Sequence, residues 1–140
     1  LEEYDAAIGA YREAINIDDE SEHAATAETN LAYALWEFGR TEEALEHSER
    51  AVEIDPRFGQ AWYNRGFFLN ERGLAEDALN CFDNAVRLGF KNVELLEEKA
   101  VALEALGEDE RAEEVANEAE EMRKEQEEKM VDEQGERLSE

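Results

Sequence analysis

The chain of 140 residues has one cysteine, one proline and 14 basic residues against 39 acidic ones, and each shortage excludes something. Cys81 alone leaves no internal disulfide and no multi-cysteine metal site. It reads as a small, half-buried helix residue, because no His, Lys or Arg stands within four residues of it to favour the thiolate. His23 and His47 lie far apart in no ligand pattern, so no metal and no cofactor is expected. The formal net charge of −25 repels phosphate backbones and anionic lipid, which excludes nucleic-acid partners and a basic membrane-surface helix. No apolar run is long enough to span a bilayer, and Leu1, Glu2, Glu3 and Tyr4 make neither the basic nor the apolar part of a signal peptide. A soluble, cytoplasmic chain is expected, with basic or apolar partners.

What is present favours helix. Ala is abundant, at 21 residues, and Pro56 stands alone. Leu, Ile, Val and Phe number 29 of 140, only just above the level of about one fifth at which a highly charged chain fails to bury a core. Composition therefore leaves folding open, and the order of residues decides it.

At an offset of 34 the chain overlies itself. Glu42–Pro56 (EEALEHSERAVEIDP) falls on Glu76–Phe90 (EDALNCFDNAVRLGF), with Ala44 over Ala78 and Ala51 over Ala85. Ala112 and Ala119 continue the frame, and Ala7 and Ala14 share its spacing after a three-residue insertion around Glu22–Ala24. Gly39, Gly73 and Gly107 are also 34 apart, each just past a helical pattern, which predicts a helix-helix corner at each. Before the corners the apolar spacing is helical: Leu31, Ala32, Leu35 and Phe38, then Trp62, Gly66 and Leu69, then Leu96, Ala100 and Leu103. After two of them run Ala44, Leu45, Ala51 and Val52, and Ala78, Leu79, Phe82, Ala85 and Val86. Seven helices are predicted, at about 3–17, 24–38, 42–54, 59–72, 75–88, 93–106 and from 110 onward. Small residues at the repeated Ala positions let one helix approach the next.

The pattern resembles the tetratricopeptide repeat, whose signature places Trp, Leu-Gly and Tyr on one helix and Ala, Phe, Ala and Pro on the next. In 59–90, Trp62, Gly66, Leu69, Ala78, Phe82 and Ala85 match it, with Arg65 for the Leu and Phe90 for the Pro. The preceding repeat keeps Leu31, Ala32, Leu35, Ala44, Ala51 and Pro56 but has Glu28 for the Trp and Ser48 for the Phe; the following one keeps Leu96, Ala100, Leu103, Ala112, Ala116 and Ala119. The resemblance covers Glu2 to about Met122. It implies an all-α fold, a right-handed α-α superhelix (solenoid) of antiparallel helix pairs. The expected organisation is a partial first repeat at 1–21 holding the second helix only, repeats at 25–58, 59–92 and 93–122, and a charged cap at 123–140, either helical or frayed.

The resemblance also implies a concave groove lined by the first helix of each pair. Beside the core stripe of 59–71 runs a second one, Gln60, Tyr63, Asn64, Phe67, Asn70 and Glu71, matched by Thr26, Thr29, Asn30, Tyr33, Trp36 and Glu37 and by Glu94, Glu97, Glu98, Val101, Glu104 and Ala105. The expected peptide-binding residues are Asn30, Tyr33, Trp36, Gln60, Tyr63, Asn64, Phe67, Asn70, Glu97, Glu98, Val101 and Glu104. Aromatic residues among them would anchor a ligand, and Asn30 and Asn64 could each bond both polar groups of an extended peptide backbone. Glu97, Glu98 and Glu104 would favour Lys or Arg at one end. None of the twelve is basic, so the carboxylate clamp of some family members is excluded.

The sequence carries no Gly-rich phosphate loop and no nucleophile in a recognisable setting, so no enzyme is expected. The leading expectation is a protein-protein interaction module, a scaffold or adaptor for an apolar segment with basic flanks. Self-assembly is the alternative, through a first helix whose Tyr4, Ile8, Tyr11 and Ile15 would be uncovered; a regulatory segment of a larger enzyme is a third. With ten Arg, four Lys and a large acidic excess, the surface also resembles that of proteins from salt-loving organisms.

Overall fold

The computed structural model describes the backbone of residues 2–17 and 22–139 and the side chains of 5–13 and 23–136. Seven helices follow one another: α1 (Glu2–Ile17), α2 (Glu22–Glu37), α3 (Thr41–Ile54), α4 (Gly59–Glu71), α5 (Ala75–Arg87), α6 (Val93–Ala105) and α7 (Asp109–Ser139). Their bounds lie within about two residues of the sequence expectation, and the described residues contain no strand. Glu22–Ala24, where the three-residue insertion is expected, form the first turn of α2, and residues 18–21 before them lie outside the described residues.

The corners are built identically. Gly39, Gly73 and Gly107 take φ of 84°, 76° and 77°, a left-handed conformation that costs a glycine nothing. Each glycine N–H donates to the carbonyl three residues back, and the following N–H of Arg40, Leu74 or Glu108 reaches back to Leu35, Leu69 or Leu103 at 2.9 Å. The carbonyls of Arg40, Leu74 and Glu108 then accept from Ala44, Ala78 and Ala112, which starts the next helix. With three residues between helices, α2 folds back on α3, α4 on α5 and α6 on α7. Gly89, with φ of 88°, closes the end of α5 with the same pair of backbone bonds, Gly89 N–H to Val86 and Phe90 N–H to Ala85 at 2.9 Å. Between α3 and α4 Pro56 offers its carbonyl to the Trp62 indole N–H at 2.8 Å, which fixes the start of α4.

The chain forms two compact units, Leu1–Phe90 and Lys91–Glu140. In the first, Ile8, Ala27, Leu31, Ala32, Leu35, Ala44 and Phe68 make one core, flanked by half-buried Tyr11, Ala34, Trp36, Leu45 and Phe67. Ala51, Val52 and Ala61 make a second, with Phe58 and Trp62 against it. The fully buried aromatic residue of α4 is therefore Phe68, whereas Trp62 is half-buried. Gly66 is required by close approach: a Cβ there would stand 2.6 Å from the Phe82 ring, so Gly66→Ala overpacks this contact at a cost of about 1 to 3 kcal/mol.

The expected uncovered face of α1 is corrected by two of its residues. Ile8 is buried and Tyr11 half-buried against the α2 core, because α1 packs on α2. The side chains of Tyr4 and Ile15 lie outside the described residues. In the second unit α6 starts at Asn92, whose side chain accepts the Leu95 N–H at 2.8 Å, and buries Val93, Leu95, Leu96, Ala100, Ala102 and Leu103. Ala112 and Ala119 of α7 are buried, and ion pairs join Lys91 to Glu118 and Glu97 to Arg123. At about 1.5 Å per residue the 31 residues of α7 far outrun the 13 of α6. α7 runs on through this charged end, and every described residue from 123 to 136 is exposed.

Candidate functional site

α2 packs on α4 as well as on α3, and α1 packs on α2, so α1, α2 and α4 contribute to one concavity in the first unit. Its volume is about 490 Å³. From α2 come Asn30, Tyr33, Ala34 and Glu37, which share a face by their three- and four-residue spacing; from α4 come Gln60, Tyr63 and Asn64; from α1 come Ala7 and Tyr11. Five of the twelve expected residues, Asn30, Tyr33, Gln60, Tyr63 and Asn64, thus meet at one place. Glu37, which belongs to the expected stripe though not to the twelve, joins them, whereas Ala7, Tyr11 and Ala34 stand outside that expectation. The Ala7–Tyr11 pair was legible as one turn of a helix, but its facing depended on how α1 docks.

The tyrosines are held from behind. Tyr33 is 49% exposed and its ring lies 5.7 Å from that of Trp36, which meets Phe67 edge-on at 4.9 Å and Phe68 at 6.3 Å. Tyr63 stands 6.2 Å from Phe82 and 5.6 Å from Phe90. Aromatic rings braced in this way lose little freedom when something binds them. Trp36 and Phe67 do not line the pocket; they are half-buried and pack against the Phe68 core. Asn70 is half-buried and also outside the lining, and Thr29 is buried with its hydroxyl donating to the Ala25 carbonyl at 2.8 Å.

Glu97, Glu98, Val101 and Glu104 belong to the second unit. Val101 is 51% exposed and Glu104 is exposed, whereas Glu98 is half-buried and Glu97 is ion-paired with Arg123. Part of the negative charge expected to attract a basic ligand there is thus offset by an arginine of α7.

Three family models, each describing the tetratricopeptide repeat, match residues 1–57, 47–80 and 69–126, and together leave no gap from residue 1 to 126. The chain belongs to the tetratricopeptide repeat family. It is 30% identical over 104 residues to the small glutamine-rich tetratricopeptide repeat-containing protein 2 of Mycosarcoma maydis, covering 74% of this chain and 29% of that protein. Among solved structures, YrrB superposes with a TM-score of 0.74 at 26% identity, over 81% of this chain and 57% of that one. The first tetratricopeptide repeat domain of Spaghetti (RPAP3) superposes with a TM-score of 0.69 at 23% identity, over 75% of this chain and 81% of that one. The chain therefore spans under a third of its curated relative and a little over half of YrrB. The likeness establishes the all-α tetratricopeptide repeat fold.

Within that family the second repeat departs at its two large positions. Where the next repeat sets Trp62 and Phe82, it has Glu28 and Ser48, both buried. The Glu28 carboxylate is met by His47 Nδ1 at 2.5 Å and by Arg50 Nε at 2.8 Å, and the Ser48 hydroxyl donates to the Leu45 carbonyl at 2.8 Å. A buried carboxylate is tolerable only when so paired. In the next repeat the Arg65 guanidinium lies 5.8 Å from the Trp62 ring centre and near Glu49, and it also approaches Cys81. Burial nevertheless pushes the Cys81 thiol up to about 11, with Arg65 opposing in part. The cysteine is more deeply buried than the sequence implied, and its cationic neighbour comes from the facing helix rather than its own.

Proposed function

We propose that this tetratricopeptide repeat chain is a protein-protein interaction module whose first unit holds an extended segment of a partner protein. The observation behind this is the 490 Å³ concavity in which braced tyrosines and the amides of Asn30, Asn64 and Gln60 converge from successive repeats. Tyrosine supplies contact area at low entropic cost, and an amide side chain pairs with both polar groups of a peptide bond. YrrB is described as having an unusual peptide-binding site, and the Spaghetti domain was solved with the HSP90 peptide SRMEEVD. That peptide carries three acidic residues, whereas this concavity is lined by Glu37 and by no basic residue among those described. An apolar segment with basic residues suits it better.

The test uses peptides selected by display on the full chain, then titrated by fluorescence anisotropy. Asn30→Ala combined with Tyr33→Ala removes two exposed groups and should raise Kd by about tenfold or more, with the unfolding midpoint little changed. Unaltered affinity for every selected peptide contradicts the assignment.

A further inference from the structure

We infer that the concavity between α1, α2 and α4 receives the cationic head of a lysine or arginine side chain from the partner. The inference deepens the peptide-binding reading and rests on it. Three tyrosines, Tyr11, Tyr33 and Tyr63, arrive from three different helices, and ring faces and phenol oxygens both attract a cation. The Glu37 carboxylate lines the same space, and the carbonyl oxygens of Asn30 and Asn64 are further acceptors at its wall. Among the described residues no Lys, Arg or His contributes to the lining, although the chain has 14 Lys and Arg elsewhere. A net charge of −25 draws cations toward the whole molecule, and this pocket adds aromatic walls to a carboxylate.

The occupant follows from that chemistry. An apolar side chain would gain nothing from the carboxylate and amides of the wall, and an acidic one would meet a like charge. A basic side chain satisfies the acceptors with its N–H groups while its methylenes lie along the rings.

Single-residue probes separate this from backbone recognition. The full chain is titrated with N-acetyl-arginine amide, and with N-acetyl-norleucine amide as a neutral control of similar reach, while the tyrosine ring signals are followed by NMR. The expected result is saturable shifts of Tyr11, Tyr33 and Tyr63, with half-saturation by the arginine probe about three- to thirtyfold lower than by the norleucine probe. Glu37→Gln and Tyr33→Leu should each narrow that ratio at an unchanged melting temperature. Equal half-saturation for the two probes, or arginine-dependent shifts that leave these tyrosines unmoved, overturns the cation site. In that event the peptide reading still stands or falls by the Asn30→Ala, Tyr33→Ala titration, which uses selected peptides rather than these probes.

Discussion

At the scale of single residues, this chain departs most from its own repeat at Glu28. A signature Trp is replaced by a carboxylate that is 1% exposed and bridged to His47 and Arg50 on α3. Removing both bases leaves a buried charge with its principal partners gone, so His47→Ala combined with Arg50→Ala should cost about 3 to 5 kcal/mol. A lower urea midpoint with an unchanged slope is the measurement. Either single variant should cost less, because the remaining base still pairs with the carboxylate. Cys81 gives a second check. Its pKa is raised, so the thiolate is scarce at neutral pH and becomes abundant only as the pH approaches about 11. A disulfide reagent at pH 8 should modify it only after urea unfolding, whereas rapid labelling of the native chain would contradict the burial described.

At the scale of elements, the corners were legible because each depends on one residue type at a fixed place. Gly39, Gly73 and Gly107 announce a left-handed turn that other residues rarely adopt, and the helices follow from the spacing between them. What was not legible depended on contacts between helices. Glu28 and His47 are 19 residues apart, and nothing in the spacing says that they meet. Phe67 and Phe68 are equally apolar, and only packing makes Phe68 the core residue and Phe67 the flanking one. Tyr11 joins the candidate site because α1 docks on α2, which no periodicity within α1 reports. The distal part of α7 provides a test of its own. Its described residues beyond Met122 bury nothing, so ending the chain after Lys124 should lower the helical circular dichroism while shifting Tm by no more than about 2 °C. A large fall in Tm would mean that this segment packs on the rest of the molecule.

At the scale of the whole molecule, the acidic excess is the dominant feature. Arginines are drawn into pairs across helices, as Arg65 with Glu49 and Arg123 with Glu97, and within them, as Arg123 with Glu120, yet 39 carboxylates cannot be matched by 14 bases. We propose that self-repulsion limits stability at low salt. Tm should rise with NaCl toward molar concentration as screening shortens its range, and a flat or falling curve would contradict this. We propose that the same charge favours basic segments and that the concavity of the first unit reads one. The most direct test of that account is the map of backbone and tyrosine NMR shifts of the full chain on titration with a display-selected peptide. The account predicts perturbations concentrated at Tyr11, Asn30, Tyr33, Gln60, Tyr63 and Asn64; saturable perturbations confined to α3, α5 or α7 would contradict it.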